Sequence, residues 1–150
     1  VSQLLLGRGD GSFYPVPLDE SGLLVSGDAR ALGLTDFNRD GAFDFLVTRS
    51  NGAMQVFQNK NPGKSRIIRL KGPKGNPQGI GARLLVTDVS GKMHVAEIAS
   101  GHSYLTQSSA GVAFTVMPGQ ELTTAEVWWP NGKHTKHLLN AGESTSVLTP

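Results

Sequence analysis

The spacing of turn signals narrows the fold of this chain more than any other feature. Asn51-Gly52, Ser90-Gly91, Pro118-Gly119 and Asn131-Gly132 cut it into short apolar or alternating runs. Those runs include "SQLLL", "ARALGLT", "FDFLVTR", "AMQVFQN", "RIIRLKG", "ARLLVTDV", "MHVAEIA", "VAFTVM", "AEVWWP", "KHTKHLL" and "STSVLT". No segment keeps an apolar period of 3.6 residues over the length of a helix. In "RSNGAMQVF" and "WWPNGKHTKHL" an Asn-Gly pair lies between strand-like runs, the strongest local hairpin signal because both residues tolerate positive φ. The expected fold class is all-β.

Composition agrees. The 150 residues include 19 glycines and 8 prolines, and 38% are hydrophobic, a mixture suited to short strands and tight turns. Fourteen Lys and Arg against twelve Asp and Glu give a net charge of +2, too little for a global field that would point to nucleic acid or a membrane surface. Cysteine is absent, which excludes disulfides and thiolate metal sites. No apolar run approaches the length of a membrane span, so no membrane insertion is expected. A boundary is expected in "NKNPGKS", with residues 1–61 as one unit and 62–150 as another. Six basic residues without an intervening acid follow, Lys60, Lys64, Arg66, Arg69, Lys71 and Lys74. Interleaved aromatics or a reading helix are missing, so the run reads as a solvated linker and strand face and no nucleic-acid partner is expected.

One stretch carries explicit chemistry. "DFNRDGAFD" places oxygen side chains at Asp36, Asn38, Asp40 and Asp44, with Gly41 at the sixth position and the backbone carbonyl of Ala42 at the seventh. Calcium takes six to eight oxygens, and alternate side chains of a short loop can wrap it. Three carboxylates this close repel one another unless a cation joins them. The twelfth position, which is Glu in an EF-hand, is Val47, and the flanks read as strands. The expectation is a structural calcium loop inside a β-hairpin, against the plainer reading of an Asp/Asn/Gly surface turn.

These residues resemble a known repeat. Gly9-Asp10-Gly11-Ser12-Phe13 followed by the Asp36–Asp44 loop is similar to the FG-GAP/VCBS repeat, the calcium-loop blade of integrin-α-type propellers. Farther on, "GNPQGIGARLLV", "EIASGHSYLTQSS" (through Gly101, Tyr104 and Gln107) and "VWWPNGK" (through Trp129, Pro130 and Gly132) resemble three successive motifs of the ASPIC/UnbV domain. The chain departs from that pattern where Phe114-Thr115-Val116-Met117 replaces F-G-L-G. The resemblance, shared with cartilage acidic protein-like and exported bacterial proteins, implies the last propeller blade and terminal module of a larger protein. It also implies an extracellular, periplasmic or cell-surface location, with upstream propeller repeats as partners. A lone blade cannot bury both its faces, so it must pack on the second unit or on missing repeats. The architecture expected is a four-stranded blade-like antiparallel unit, then a small β-sandwich or barrel-like module.

Other candidates are weaker. Of the four histidines, His94, His102, His134 and His137, the last two lie three apart and would face opposite sides of a strand, so a shared metal is not expected. His102-Ser103 lacks the strand-turn-helix elbow that a nucleophilic serine needs, so no catalytic residue is assigned. Trp128 and Trp129 are adjacent, so one faces the core and the other could stack on a sugar or pack on a neighbour. Arg83, beside "GIGA", could hold an anion, although a strand-face ion pair is the simpler expectation. Arg8-Gly9-Asp10 could serve cell adhesion if exposed, but its glycines and aspartate also fit the inter-repeat turn. The function expected is a non-enzymatic, calcium-binding extracytoplasmic binding or scaffold module for a protein or glycan ligand. The alternative is a carbohydrate-binding or accessory module of an exported enzyme.

Overall fold

A computed structural model describes residues 2–60, 65–101, 104–115 and 120–150. The chain opens with a hairpin of β1 (Leu4–Gly7) and β2 (Phe13–Val16). Among the described residues neither strand has a second neighbour, so Pro15 costs the ladder no bond that an interior strand would need. A single helical turn, α1 (Leu18–Ser21), ends at Gly22 and leads into an extended segment. Then β3 (Ala29–Thr35), β4 (Asp44–Arg49) and β5 (Gly52–Phe57) form an antiparallel sheet in chain order. The β4–β5 turn uses the expected Asn51, at φ 53°. Leu23, Val25 and Val47 form this unit's small core, with Leu4, Leu32, Phe45 and Phe57 packed around it.

Among the described residues the sheet has three strands, not the four expected of a blade. The segment around Leu23 and Val25 adds apolar side chains to this unit's core without forming a strand. The β1–β2 hairpin stands as its own two-stranded sheet.

The rest of the chain supplies β6 (Ser65–Leu70), β7 (Arg83–Asp88), β8 (Met93–Glu97), β9 (Val112–Thr115), β10 (Leu122–Trp128), β11 (His134–Leu138) and β12 (Thr145–Leu148). They form two sheets, β11-β10-β7-β8 and β12-β6-β9. Every pair is antiparallel except β6 with β12, which is parallel. Alternation puts Leu84, Val86, Ala125 and Val127 of one sheet against Ile68, Phe114 and Leu148 of the other, in a single apolar core. Burying a side chain such as Leu84 fully contributes roughly 1.5–3 kcal/mol. The fold is all-β, with open sheets and no closed barrel, so of the two forms expected the module takes the sandwich.

Among the contacts that join the halves of the chain are two beside the β3–β4 loop. Ser109 N–H donates to the Leu34 carbonyl at 2.8 Å, Leu34 N–H donates to the Ser108 hydroxyl at 3.1 Å, and Ser109 Oγ donates to Thr35 Oγ1 at 2.8 Å. These bonds occupy the free edge of β3. The second contact is steric: a Cβ on Gly41 would lie 2.3 Å from Ser144 Cβ. The expected unit boundary falls in residues 61–64, outside the described residues; β6, just after it, pairs with β9 and β12.

Arg66 corrects the reading of the basic run as solvated. It is 4% exposed, its guanidinium donating to Ser146 Oγ at 2.7 Å and to the Asn140 carbonyl at 2.7 Å, with Glu143 Oε2 at 3.4 Å. Burial lowers its affinity for a proton and Glu143 partly restores it. Lys60, Lys71 and Lys74 are exposed as expected, and Lys64 lies outside the described residues.

Candidate functional site

The loop from Asp36 to Asp44 joins β3 to β4, and its acidic side chains turn inward onto the loop's own backbone. Asp44 is 1% exposed; its two oxygens accept from Phe37 N–H at 3.1 Å and Asn59 N–H at 2.8 Å. Asp36 Oδ2 accepts from Gly41 N–H at 3.2 Å, and Asp40 Oδ1 from Ala42 N–H at 2.9 Å. Asn38 Nδ2 donates to Asp40 Oδ2 at 2.6 Å, and Asn38 Oδ1 accepts from Asp40 N–H. Ala42 is completely buried. Gly41 is required twice over, by φ 87° and by the Ser144 contact.

Does this donor set suit a cation? Asp36 Oδ1 is buried and, among the described residues, has no hydrogen-bond partner. Such an orphaned oxygen is costly in a native fold and calls for an unseen donor or ion. No ion pair among the described residues reaches Asp36, Asp40 or Asp44. Equally, among the described residues no three His, Asp or Glu side chains are gathered closely enough to hold a metal. The residue types and the orphaned oxygen fit a hard cation; the carboxylates point to one loop without converging on a point.

The second candidate lies on the sandwich. Trp129 is 4% exposed, its indole N–H donating to Thr135 Oγ1 at 2.9 Å, while Trp128 is 43% exposed on the other face. That is the in-out split expected of neighbours in a strand. Arg83 lies opposite Trp128 in the β7–β10 register and Glu97 lies opposite Arg83 in β7–β8. The simple ion pair expected for Arg83 is not made among the described residues. In "GIGA", Gly79 (φ 67°) is pressed so close that a Cβ would lie 2.8 Å from Leu70 and 3.3 Å from Trp129.

The histidines do not converge. His134 stacks on Trp128, and His137 hydrogen-bonds Thr135, its basicity lowered by burial. His94 Nε2 is 3.7 Å from Asp88 Oδ2, too far for a hydrogen bond. Asp88 Oδ1 accepts from Ser90 Oγ, Ser90 N–H and Lys92 N–H, closing the β7–β8 turn at Ser90-Gly91. The Ser90 hydrogen bond holds its carboxyl below the ordinary range. Sequence reading missed this buried carboxylate, although Asp before Ser-Gly is a turn signal in itself. His102, Ser103, Val116, Met117 and the Pro118-Gly119 turn lie outside the described residues.

Arg8-Gly9-Asp10 is exposed at the tip of the β1–β2 hairpin. Its charged groups are engaged locally: the Arg8 guanidinium lies over the Tyr14 ring at 5.7 Å, and Asp10 Oδ1 accepts from Ser12 N–H and Oγ. Gln107 Oε1 accepts from Gly101 N–H at 2.6 Å, closing the loop that carries Tyr104 and leads to the Ser108–Ser109 contact with β3.

A sequence profile described as ASPIC and UnbV matches residues 72–150. The chain belongs to that family. The match covers the "GNPQGIGAR", "GHSYLTQ" and "WWPNG" segments together, that is, β7 to β12 and the loops between them. Among curated proteins, cartilage acidic protein 1 of Xenopus tropicalis is 29% identical over 127 residues. That alignment takes in 81% of this chain and 20% of the relative, so the chain spans about a fifth of that protein's length. Among the described residues, no helix is long and apolar enough to cross a membrane.

Proposed function

We propose that this ASPIC/UnbV chain is a calcium-stabilised, non-enzymatic binding or scaffold module that works outside the cytoplasm. In this reading the first unit is an FG-GAP/VCBS-type repeat, and its Asp36–Asp44 loop holds one structural calcium. Asp36, Asn38, Asp40 and Asp44 would supply side-chain oxygens and Ala42 its carbonyl. The ion would neutralise three carboxylates that no ion pair reaches among the described residues. The observation that carries the proposal is the buried, partnerless Asp36 Oδ1 within this run of donors. The likeness to cartilage acidic protein 1 supports the extracellular location.

The loop touches the second unit at Ser144, so an ion that fixes the loop also fixes the surface on which the sandwich rests. That is a scaffold role for the metal rather than a chemical one. Extracellular calcium modules bind with Kd roughly 10⁻⁴–10⁻³ M. At about 10 mM calcium, preferential binding to the folded state then adds about 1.4–2.7 kcal/mol. Thermal melts in calcium and in chelator test this, with Asp40→Ala as the control variant. A calcium-dependent rise in melting temperature that Asp40→Ala removes is expected; identical melts in calcium and chelator would refute the proposal.

A further inference from the structure

The outer face of the sheet β11-β10-β7-β8 carries one row of side chains, His134, Trp128, Arg83 and Glu97, aligned by the strand register. The Trp128 indole is braced from the β11 side. His134 lies nearly parallel to it, with 4.6 Å between ring centroids and 18° between planes. His134 Nε2 is in turn 3.1 Å from Glu126 Oε2, and Lys136 Nζ is 3.1 Å from Glu126 Oε1. On the opposite side, over β7, a slot of about 250 Å³ opens between Trp128 and Val95, with Leu84, Leu85 and Arg83 completing its lining.

Among the described residues, Arg83 is the one charged side chain that lines the slot. Among the described residues its guanidinium has no hydrogen bond and no ion pair, even though Glu97 is its cross-strand neighbour. An aromatic plate held rigid on one side, an apolar floor and an unspent planar cation therefore meet in a space below the usual size of a drug-like pocket, roughly 300–1,000 Å³.

We propose that this slot binds a sugar ring bearing a carboxylate, that is, a hexuronate residue of an acidic glycan. The apolar C–H face of a pyranose packs against an indole, which offers wide contact area at low entropic cost. The guanidinium fork matches a carboxylate through two parallel hydrogen bonds. A neutral sugar would leave the charge of Arg83 without a counter-charge, and a bare phosphate or sulfate would leave the indole unused. The hexuronate uses both. The proposal deepens the reading of the chain as a binding module and is independent of the calcium loop, which lies on the other unit.

Calorimetric titration of the 150-residue chain with tetragalacturonate, cellotetraose and dextran sulfate tests it. Saturable binding of tetragalacturonate is expected, at least about tenfold tighter than of cellotetraose, the worth of a charge-assisted hydrogen bond. Arg83→Gln should remove that preference, Trp128→Ala should remove binding of both sugars, and Lys74→Ala, at an exposed cation outside the slot, should leave binding unchanged. Arg83→Gln alters an exposed strand end and keeps the test valid if Trp128→Ala does not fold. Repeating the titration in EDTA separates the two sites, because sugar binding should persist when the calcium effect is gone. The proposal is overturned by no binding, by equal affinity for the neutral sugar, or by a polyanion affinity that Arg83→Gln does not change.

Discussion

Gly41→Ala should unsettle both the loop and the joint between units, and the two costs can be separated. Gly41 sits at φ 87°, where an L-residue costs roughly 1–2 kcal/mol. Its new Cβ would also lie 2.3 Å from Ser144 Cβ and 3.0 Å from Ser144 Oγ. Overpacking of that kind costs roughly 1–3 kcal/mol. The sum is about 2–5 kcal/mol, and at about 2–4 °C per kcal/mol for a domain of this size the melting temperature should fall by about 4–20 °C. In a Ser144→Gly background the nearest remaining neighbour is the residue-144 Cα at 3.4 Å, an ordinary contact. The steric part should then vanish while the backbone part stays. Urea denaturation of the wild type, both single variants and the double variant should give a coupling of about 1–3 kcal/mol. If the two single effects simply add, within about 0.5 kcal/mol, the loop does not bear on Ser144 and the account of how the units meet is wrong.

Three further outcomes follow from buried groups. Trp129→Ala should cost about 3–5 kcal/mol in chemical denaturation, since it empties the core beside Gly79 and removes the indole N–H that donates to Thr135. Arg66→Ala should cost about 3 kcal/mol by the same assay, the low end for a broken buried pair because Glu143 remains half exposed. Asp88 has a depressed carboxyl pKa, so its contribution is present above the unfolded carboxylate value of about 3.9 and is lost as pH falls below it. Asp88→Asn should therefore flatten the acid limb of the stability-against-pH curve, measured by urea midpoints from neutral to acid pH.

Much of the fold was legible because period-two runs bounded by Gly, Pro and Asn report both strands and their ends. "ARALGLT" coincides with β3 residue for residue, and the Trp128–Trp129 split followed from alternation alone. The strand β2 was missed because its apolar pattern is interrupted by Pro15, which is harmless in a strand with one neighbour. The burial of Arg66 was illegible for a different reason. Its partners Asn140, Glu143 and Ser146 lie more than seventy residues away, and the parallel β6–β12 pairing that brings them close leaves no local signal. In the loop, donor types and spacing were readable; that Asp36 Oδ1 is buried without a partner, and that Gly41 abuts Ser144, depends on the packed fold.

The most direct test is a calcium titration followed by calorimetry, with Asp36→Asn measured alongside. The account predicts one calcium per chain with Kd roughly 10⁻⁴–10⁻³ M, and loss of saturable binding in the variant. No saturable binding in the wild type, or the same binding in Asp36→Asn, would contradict it.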